Sequence, residues 1–106
     1  MALKHANPGE VIRLQPGRGV ADDKTAALVK SDRFEAVHLV IPGGTSIPSH
    51  KVDGFVTLLA LEGHVILEAG GQIELRTGDW IYLDRGAPHA LHAIEDSALL
   101  LHIMFD

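Results

Sequence analysis

The fold class follows first from the segment Gly78-Asp-Trp-Ile-Tyr-Leu-Asp-Arg-Gly-Ala-Pro-His89. Its centre, residues 80–83, is apolar or aromatic throughout, and glycine and aspartate residues stand on both sides of it. Short apolar segments between such turn signals are typical of β-strands, because amphipathic helices need longer uninterrupted periods. The segment therefore predicts a short strand, a turn at 84–86 and a second strand that begins near His89.

The same alternation of apolar segments and glycine-containing turns continues on both sides of this segment, from Phe34 to the C-terminus. Short strands at regular spacing are typical of an all-β barrel or sandwich. We predict strands over 34–41, 47–52, 55–61, 64–68, 72–76, 80–83, 89–94 and 98–105.

The first third of the chain is less regular, because proline and glycine residues interrupt it. Only Val11–Leu14 and Thr25–Lys30 remain as candidate strands. We interpret residues 1–33 as an N-terminal arm with edge strands, and residues 34–106 as a barrel within a single domain. Such an arm would cover a sheet edge of its own barrel or of a neighbouring subunit.

Composition limits the classes of function. The chain has 106 residues, the size of one domain, and no cysteine, which excludes disulfides and thiolate metal ligands. Its net charge is −5, which disfavours nucleic acid as a partner. No apolar segment is long enough to cross a membrane, and we expect a cytoplasmic protein. Seven histidines are the main functional lead, because imidazoles bind metals and exchange protons near neutral pH.

Two segments together resemble the paired motifs of the cupin superfamily. The first runs from Gly44 through His50 to Gly63, and the second runs from Gly78 to His89. The resemblance covers about residues 34–105 and implies a double-stranded β-helix, the jelly-roll barrel of small single-domain cupins. It also implies a homodimer as the default assembly.

In that family, two histidines and a glutamate of the first motif and one histidine of the second hold a divalent metal. The matching positions here are His50, Val52, Val56 and His89, so valines stand at two of the four ligand positions. The resemblance therefore implies a degenerate metal motif in which His50 and His89 are the remaining metal candidates. His92 is a third candidate, although strand alternation places it on the other face from His89 unless a bulge intervenes. We expect no metal or a weakly held Zn, Ni, Mn or Fe ion.

Three functions remain open at this point. The first is the binding of a small organic molecule by His50 and His89 in an apolar pocket lined by Val52, Phe55 and Val56, with or without metal-independent catalysis. The second is a metal-dependent cupin enzyme of the oxygenase or isomerase type with a reduced ligand set. The third is a non-catalytic structural or regulatory dimer. The sequence identifies no catalytic residue and no substrate.

Two features of the predicted strands bear on assembly. Trp80 and Tyr82 alternate with Ile81 and Leu83 along the predicted strand. One of these two pairs therefore faces the core, and the other faces solvent or a partner. His38 and His102 lie in the first and last barrel strands, which the cupin topology makes neighbours. We interpret them as unrelated surface or interface histidines; the alternative is a proton switch at a subunit interface.

Overall fold

The computed structural model describes residues 5–14 and 24–105. Within these residues the regular elements are nine β-strands in two antiparallel sheets, and no helix is present that is long and apolar enough to cross a membrane. The strands are β1 (Ala26–Lys30), β2 (Phe34–Ile41), β3 (Ser46–His50), β4 (Phe55–Glu62), β5 (His64–Glu68), β6 (Gln72–Arg76), β7 (Trp80–Leu83), β8 (His89–Ala93) and β9 (Ser97–Met104).

The chain crosses repeatedly from one sheet to the other. The five-stranded sheet has the order β1-β2-β9-β4-β7, and the four-stranded sheet has the order β3-β8-β5-β6. Because consecutive strands lie mainly in opposite sheets, the two sheets enclose one interior, as in a jelly-roll barrel. The predicted all-β fold is therefore confirmed.

The eight predicted barrel strands correspond to β2 through β9, with ends that differ by at most two residues. The candidate strand Thr25–Lys30 is present as β1, which pairs with β2 at the sheet edge. The prediction of a strand at Val11–Leu14 is wrong: a turn at Pro8 and Gly9 redirects the chain, and Val11 is 76% exposed. Residues 1–4, 15–23 and 106 of the predicted arm and barrel lie outside the described residues.

The core fills the space between the two sheets with alternate residues of each strand. In β4, for example, Val56, Leu58 and Ala60 are at most 3% exposed, whereas their neighbours along the strand are half-buried. Complete burial of a leucine or valine side chain stabilises the fold by about 1.5–3 kcal/mol. The buried cluster is Ile41, Val56, Leu58, Ala60, Val65, Leu67, Leu75, Leu83, Leu91, Ala93, Leu99 and Ile103.

The turn between β4 and β5 contacts the start of β9 closely. Gly63 has φ of 97°, and a Cβ atom there would meet Ser97 and lie 2.5 Å from the carbonyl oxygen of Asp96. The Ser97 hydroxyl accepts a hydrogen bond from the His64 backbone N–H at 3.0 Å and donates one to the Glu95 carbonyl at 2.7 Å. This junction therefore connects the two sheets through a buried hydroxyl and a position that requires glycine.

Candidate functional site

His50 and His89 lie opposite each other at one end of the four-stranded sheet. His50 is the last residue of β3, His89 is the first residue of β8, and the two are partners in the β3–β8 ladder. Their ring centroids are 4.5 Å apart with an angle of 58° between the ring planes. His89 is 4% exposed and His50 is exposed, so the pair extends from the interior to the surface.

A β-bulge in β3 brings His50 to the same face as His89. Ile47 pairs with Leu91 and His50 pairs with His89, so three steps along β3 match two steps along β8. Strict alternation would place Ile47 and His50 on opposite faces, because side chains alternate along a regular strand. The additional residue reverses that alternation, which is how bulges redirect side chains near functional sites.

Both imidazoles are held by the backbone in the same way. The Nδ1 atom of His50 lies 3.1 Å from the Pro48 carbonyl oxygen, and the Nδ1 atom of His89 lies 3.1 Å from the Ala87 carbonyl oxygen. A carbonyl oxygen can only accept, so each Nδ1 carries a hydrogen and donates it. In the neutral state, each Nε2 atom therefore keeps its lone pair as an acceptor.

Side-chain motifs gave no sign of these two carbonyl acceptors. In both segments a proline stands one or two residues before the histidine, as Pro48 and Pro88. Proline restricts the backbone φ angle and lacks an N–H group, so it limits the conformations of these turns. A proline one or two residues before a candidate histidine is therefore the sequence feature that could have predicted an imidazole anchored to the backbone.

The two valines at the implied ligand positions belong to the apolar interior. Val56 is 2% exposed within the core cluster and pairs with Leu83 and Ile103 across the five-stranded sheet. Val52 is half-buried and packs against the same cluster. Both side chains offer only hydrocarbon where a ligating histidine and glutamate would offer nitrogen and oxygen.

Phe55 does not line this interior. It precedes Val56 in β4 and faces the opposite side of the sheet, where its ring stacks on Tyr82 with centroids 6.0 Å apart. The Arg85 guanidinium lies 5.0 Å from the Phe55 ring centroid and also binds Asp53 at 3.0 Å. The expectation that Phe55 lines the pocket is therefore corrected, because adjacent residues of a strand face opposite sides.

His92 also lies on an outer face. It is exposed, and its Nδ1 atom is 2.7 Å from the Ser46 hydroxyl, its cross-strand partner in the β3–β8 ladder. In β8 the described ladder is regular at this point, so no bulge turns His92 towards His89. The structure brings together His50 and His89 and separates His92 from them.

The residues present do not fit a complete cupin metal site. Within residues 5–14 and 24–105, no group of three or more His, Cys, Asp or Glu side chains is arranged to hold a metal ion. Protein-bound zinc usually has at least three protein ligands, and open non-haem iron sites use two histidines and a carboxylate. His50 and His89 supply two imidazoles, and valines occupy the other two positions.

A comparison with protein families agrees with this architecture. The model of the family described as "Cupin domain" matches residues 37–105, which is more than half of the chain. The chain belongs to the cupin family. The matched range contains both histidines of the site and strands β3 to β9 of this cupin.

Solved structures with the same fold span several kinds of protein. A cupin superfamily protein from Desulfitobacterium hafniense DCB-2 is 18% identical with a TM-score of 0.77, covering 91% of this chain and 95% of that chain. A conserved protein of unknown function from Streptococcus pyogenes is 20% identical with a TM-score of 0.78, covering 100% and 98%. The DMSP lyase DddQ from Ruegeria pomeroyi DSS-3 is 22% identical with a TM-score of 0.67, covering 76% and 45%.

These identities show a shared fold and leave the function open, because one fold supports many chemistries. No curated protein sequence matches the chain significantly.

Proposed function

We propose that this cupin binds a small organic molecule, without a metal, between His50 and His89, with Val52 and Val56 as the apolar wall. The observation that carries the proposal is the pair of imidazoles 4.5 Å apart, each with its Nδ1 atom already bonded to a backbone carbonyl. An apolar pocket with a few convergent polar groups is the usual form of a small-molecule site.

The ring hydrogens that His50 and His89 donate to the backbone determine which class of ligand the site favours. With both Nδ1 hydrogens engaged, two neighbouring Nε2 acceptors remain, and they favour a ligand that donates hydrogen bonds. An apolar molecule with a hydroxyl, amide N–H or ammonium group meets this requirement. A carboxylate does not, because it can only accept and would face two acceptors.

The same arrangement supports proton transfer. A bound hydroxyl group that is acidic enough would pass its proton to an Nε2 atom, leaving an oxyanion on the ligand and a positively charged imidazole on the protein. A positioned imidazole acting in this way contributes about 10²–10⁴-fold to a reaction rate. The presence of a DMSP lyase among the structures of the same fold is compatible with an enzyme, although its substrate does not carry over at 22% identity.

Phenol and anisole are a matched pair of probes for this site, because they have similar shapes and only phenol donates a hydrogen bond. NMR spectra of the imidazole nitrogens should show saturable shifts of the His50 and His89 Nε2 signals with phenol and none with anisole. The response of His50 should disappear in His89→Ala and persist in the control His92→Ala. Equal responses to both probes, or unprotonated Nδ1 atoms, would contradict the proposal.

One observation favours a second candidate, a metal-dependent enzyme with a reduced ligand set. Metal-binding histidines usually donate their other ring hydrogen to a carbonyl or carboxylate, as His50 and His89 do here. Two protein ligands alone should hold Zn, Ni, Mn or Fe weakly. Elemental analysis after metal saturation and desalting separates the candidates: one retained equivalent that is lost in His50→Ala would favour the metal-dependent enzyme.

A further inference from the structure

Within the residues that the structure describes, the two sheets end in four edge strands. These are β1 and β7 in the five-stranded sheet and β3 and β6 in the four-stranded sheet. An edge strand presents main-chain N–H and C=O groups on one side, and an extended chain that reaches them can pair with the sheet. Proteins prevent such pairing with bulges, prolines, charged side chains or a covering segment.

Three of the four edges have features that discourage pairing. In β3, Pro48 lacks an N–H group and a bulge interrupts the ladder. In β1, a bulge occurs at Leu28, and the Ala6 N–H donates to the carbonyl oxygen of that residue at 2.6 Å. In β6, Glu74 and Arg76 place charges on the outer face. Each of these edges is therefore a poor template for a further strand.

The edge formed by β7 has none of these features. Its four residues, Trp80 to Leu83, pair with β4 without a register shift. The strand contains no proline and no charged residue. Trp80 is 60% exposed and Tyr82 is 50% exposed. Of the four edges, β7 is therefore the one suited to accept another strand.

The hydrogen bonds at the start of β7 show which of its main-chain groups point to the free edge. The Ala60 N–H donates to the Asp79 carbonyl oxygen at 2.9 Å, so residue 79 directs its carbonyl towards β4. Successive residues of an antiparallel strand direct their main-chain groups alternately towards the partner and away from it. The N–H and C=O groups of Trp80 and Tyr82 therefore point away from β4. In the described part of the chain, no strand pairs with this side of β7.

We propose that the free edge of β7 binds an extended segment of another protein by strand addition, and that this segment carries lysine or arginine at alternating positions. The segment pairs antiparallel to β7, as all neighbouring strands of this sheet do. It exchanges main-chain hydrogen bonds with Trp80 and Tyr82, which is the usual source of affinity in strand addition. The proposal is independent of the ligand site, because His50 and His89 belong to the other sheet.

The exposed rings of β7 favour basic side chains in the partner. Residues directly opposite each other in an antiparallel pair project to the same face, so the partner residues opposite Trp80 and Tyr82 lie beside the two rings. The faces of indole and phenol rings attract ammonium and guanidinium groups. This surface already holds one such contact: the Arg85 guanidinium lies 5.0 Å from the Phe55 ring centroid, and Phe55 stacks on Tyr82.

The charges around β7 favour the same partner. Asp79 and Asp84 are exposed and stand directly before and directly after the strand, so a carboxylate lies near each end of the docked segment. Arg85 follows Asp84, and its charge is balanced by Asp53 at 3.0 Å. The net charge of −5 on the whole chain also attracts a basic segment at longer range.

A second copy of this chain fits the edge poorly. Antiparallel pairing of β7 with itself brings the start of one strand beside the end of the other. Asp79 of each copy would then lie near Asp84 of the other copy, and like charges facing each other across a strand pair are destabilising. The net charges of the two copies also repel each other. A basic segment reverses both effects.

A short capped peptide of alternating lysine and valine is a suitable probe. Its lysines would lie beside Trp80 and Tyr82, and a valine would lie opposite Ile81, which is half-buried. In NMR titrations of the whole chain, we expect saturable shifts of the β7 amide signals. The same peptide with glutamate in place of lysine should bind at least about tenfold more weakly, because it meets Asp79 and Asp84 with like charges.

Two N-methylated peptides test main-chain pairing without changing the protein. Methylation of the lysine nitrogens removes the N–H groups that face β7 and should weaken binding at least about tenfold. Methylation of the valine nitrogens alters groups that face away from β7 and should leave the affinity unchanged. Equal affinities of the two methylated peptides would overturn strand addition, and equal affinities of the lysine and glutamate peptides would overturn the basic partner.

Amide hydrogen exchange tests whether the edge is free. In the protein alone, the amides of Trp80 and Tyr82 should exchange faster than those of Ile81 and Leu83, and the lysine peptide should slow them. Slow exchange at Trp80 and Tyr82 without peptide would show that this chain or a second copy already covers the edge, which would overturn the proposal.

The variants Trp80→Lys and Tyr82→Lys place a positive charge at the edge and should bind the lysine peptide at least about tenfold more weakly. Ile94→Lys is the matched control, because Ile94 is 51% exposed and lies outside β7. It should bind the peptide as the parent does, and circular dichroism confirms that each variant is folded. Equal weakening in all three folded variants would show that binding follows net charge alone and would overturn the assignment to β7.

Discussion

At the scale of single residues, the hydrogen bonds of His50 and His89 determine what the site can recognise. Each Nδ1 atom is 3.1 Å from a carbonyl oxygen two residues earlier in the chain. In the neutral tautomers that these bonds imply, each Nε2 atom is left as an acceptor. Val52 and Val56 add only hydrocarbon to this part of the interior, where they belong to or pack against the core cluster.

The double change Val52→His with Val56→Glu tests whether only the ligand chemistry differs from that of metal-binding cupins. Glutamate at a position that is 2% exposed should destabilise the protein in chelator, because a buried charge without a partner is poorly solvated. Added Zn or Ni should restore stability, since a metal that binds only the folded state stabilises it by mass action. Thermal melts with chelator and with metal measure both effects.

The matched control is Val52→His with Val56→Gln, which has a similar shape and no carboxylate. We expect it to show a smaller gain in melting temperature on addition of metal. If the glutamate variant melted at the same temperature in chelator and in excess metal, positions 52 and 56 would not converge on the two histidines.

At the scale of elements, a bulge and a tight turn decide the local geometry more than the regular strands do. The bulge in β3 turns His50 towards His89, and the turn between β4 and β5 fits against the start of β9 only because residue 63 is glycine. Both features act where a strand ends and the chain crosses between the sheets. The regular ladders between these junctions carry the residues of the buried core cluster.

Gly63→Ala should therefore be more destabilising than an alanine at another glycine with positive φ. The new Cβ atom would meet Ser97 and the Asp96 carbonyl, in addition to the strain of a left-handed backbone, which costs about 1–2 kcal/mol. Gly70→Ala is the control, because φ is 73° there and a Cβ atom would have nothing within 4 Å. Urea unfolding of both variants gives the comparison, and equal losses would show that the contact with Ser97 is not limiting.

At the scale of the whole molecule, the outer faces of the two sheets differ in polarity. The four-stranded sheet carries Glu68, Glu74 and Arg76 on its outer face, whereas the five-stranded sheet exposes Trp80 and Tyr82 there. The proposed ligand site opens at the end of the four-stranded sheet.

The strands β2 to β9 could be predicted from the sequence because the information is local. Glycines at turns and short apolar segments mark where each strand begins and ends, and the motif around Gly78 and His89 indicates the family. The segment 11–14 has the same apolar character and forms no strand, since strand formation also requires a pairing edge. The amino-acid composition of a segment does not show whether a pairing edge is available to it.

Only the tertiary structure decided which side chains come together at the site. A bulge of one residue in β3 determines that His50 faces His89, and regular alternation in β4 places Phe55 outside while Val56 lies inside. Which face a residue occupies depends on the register with a partner strand, and register is a property of two segments distant in sequence. The sequence alone therefore determined the elements of this cupin, and the pairing of those elements decided which side chains meet.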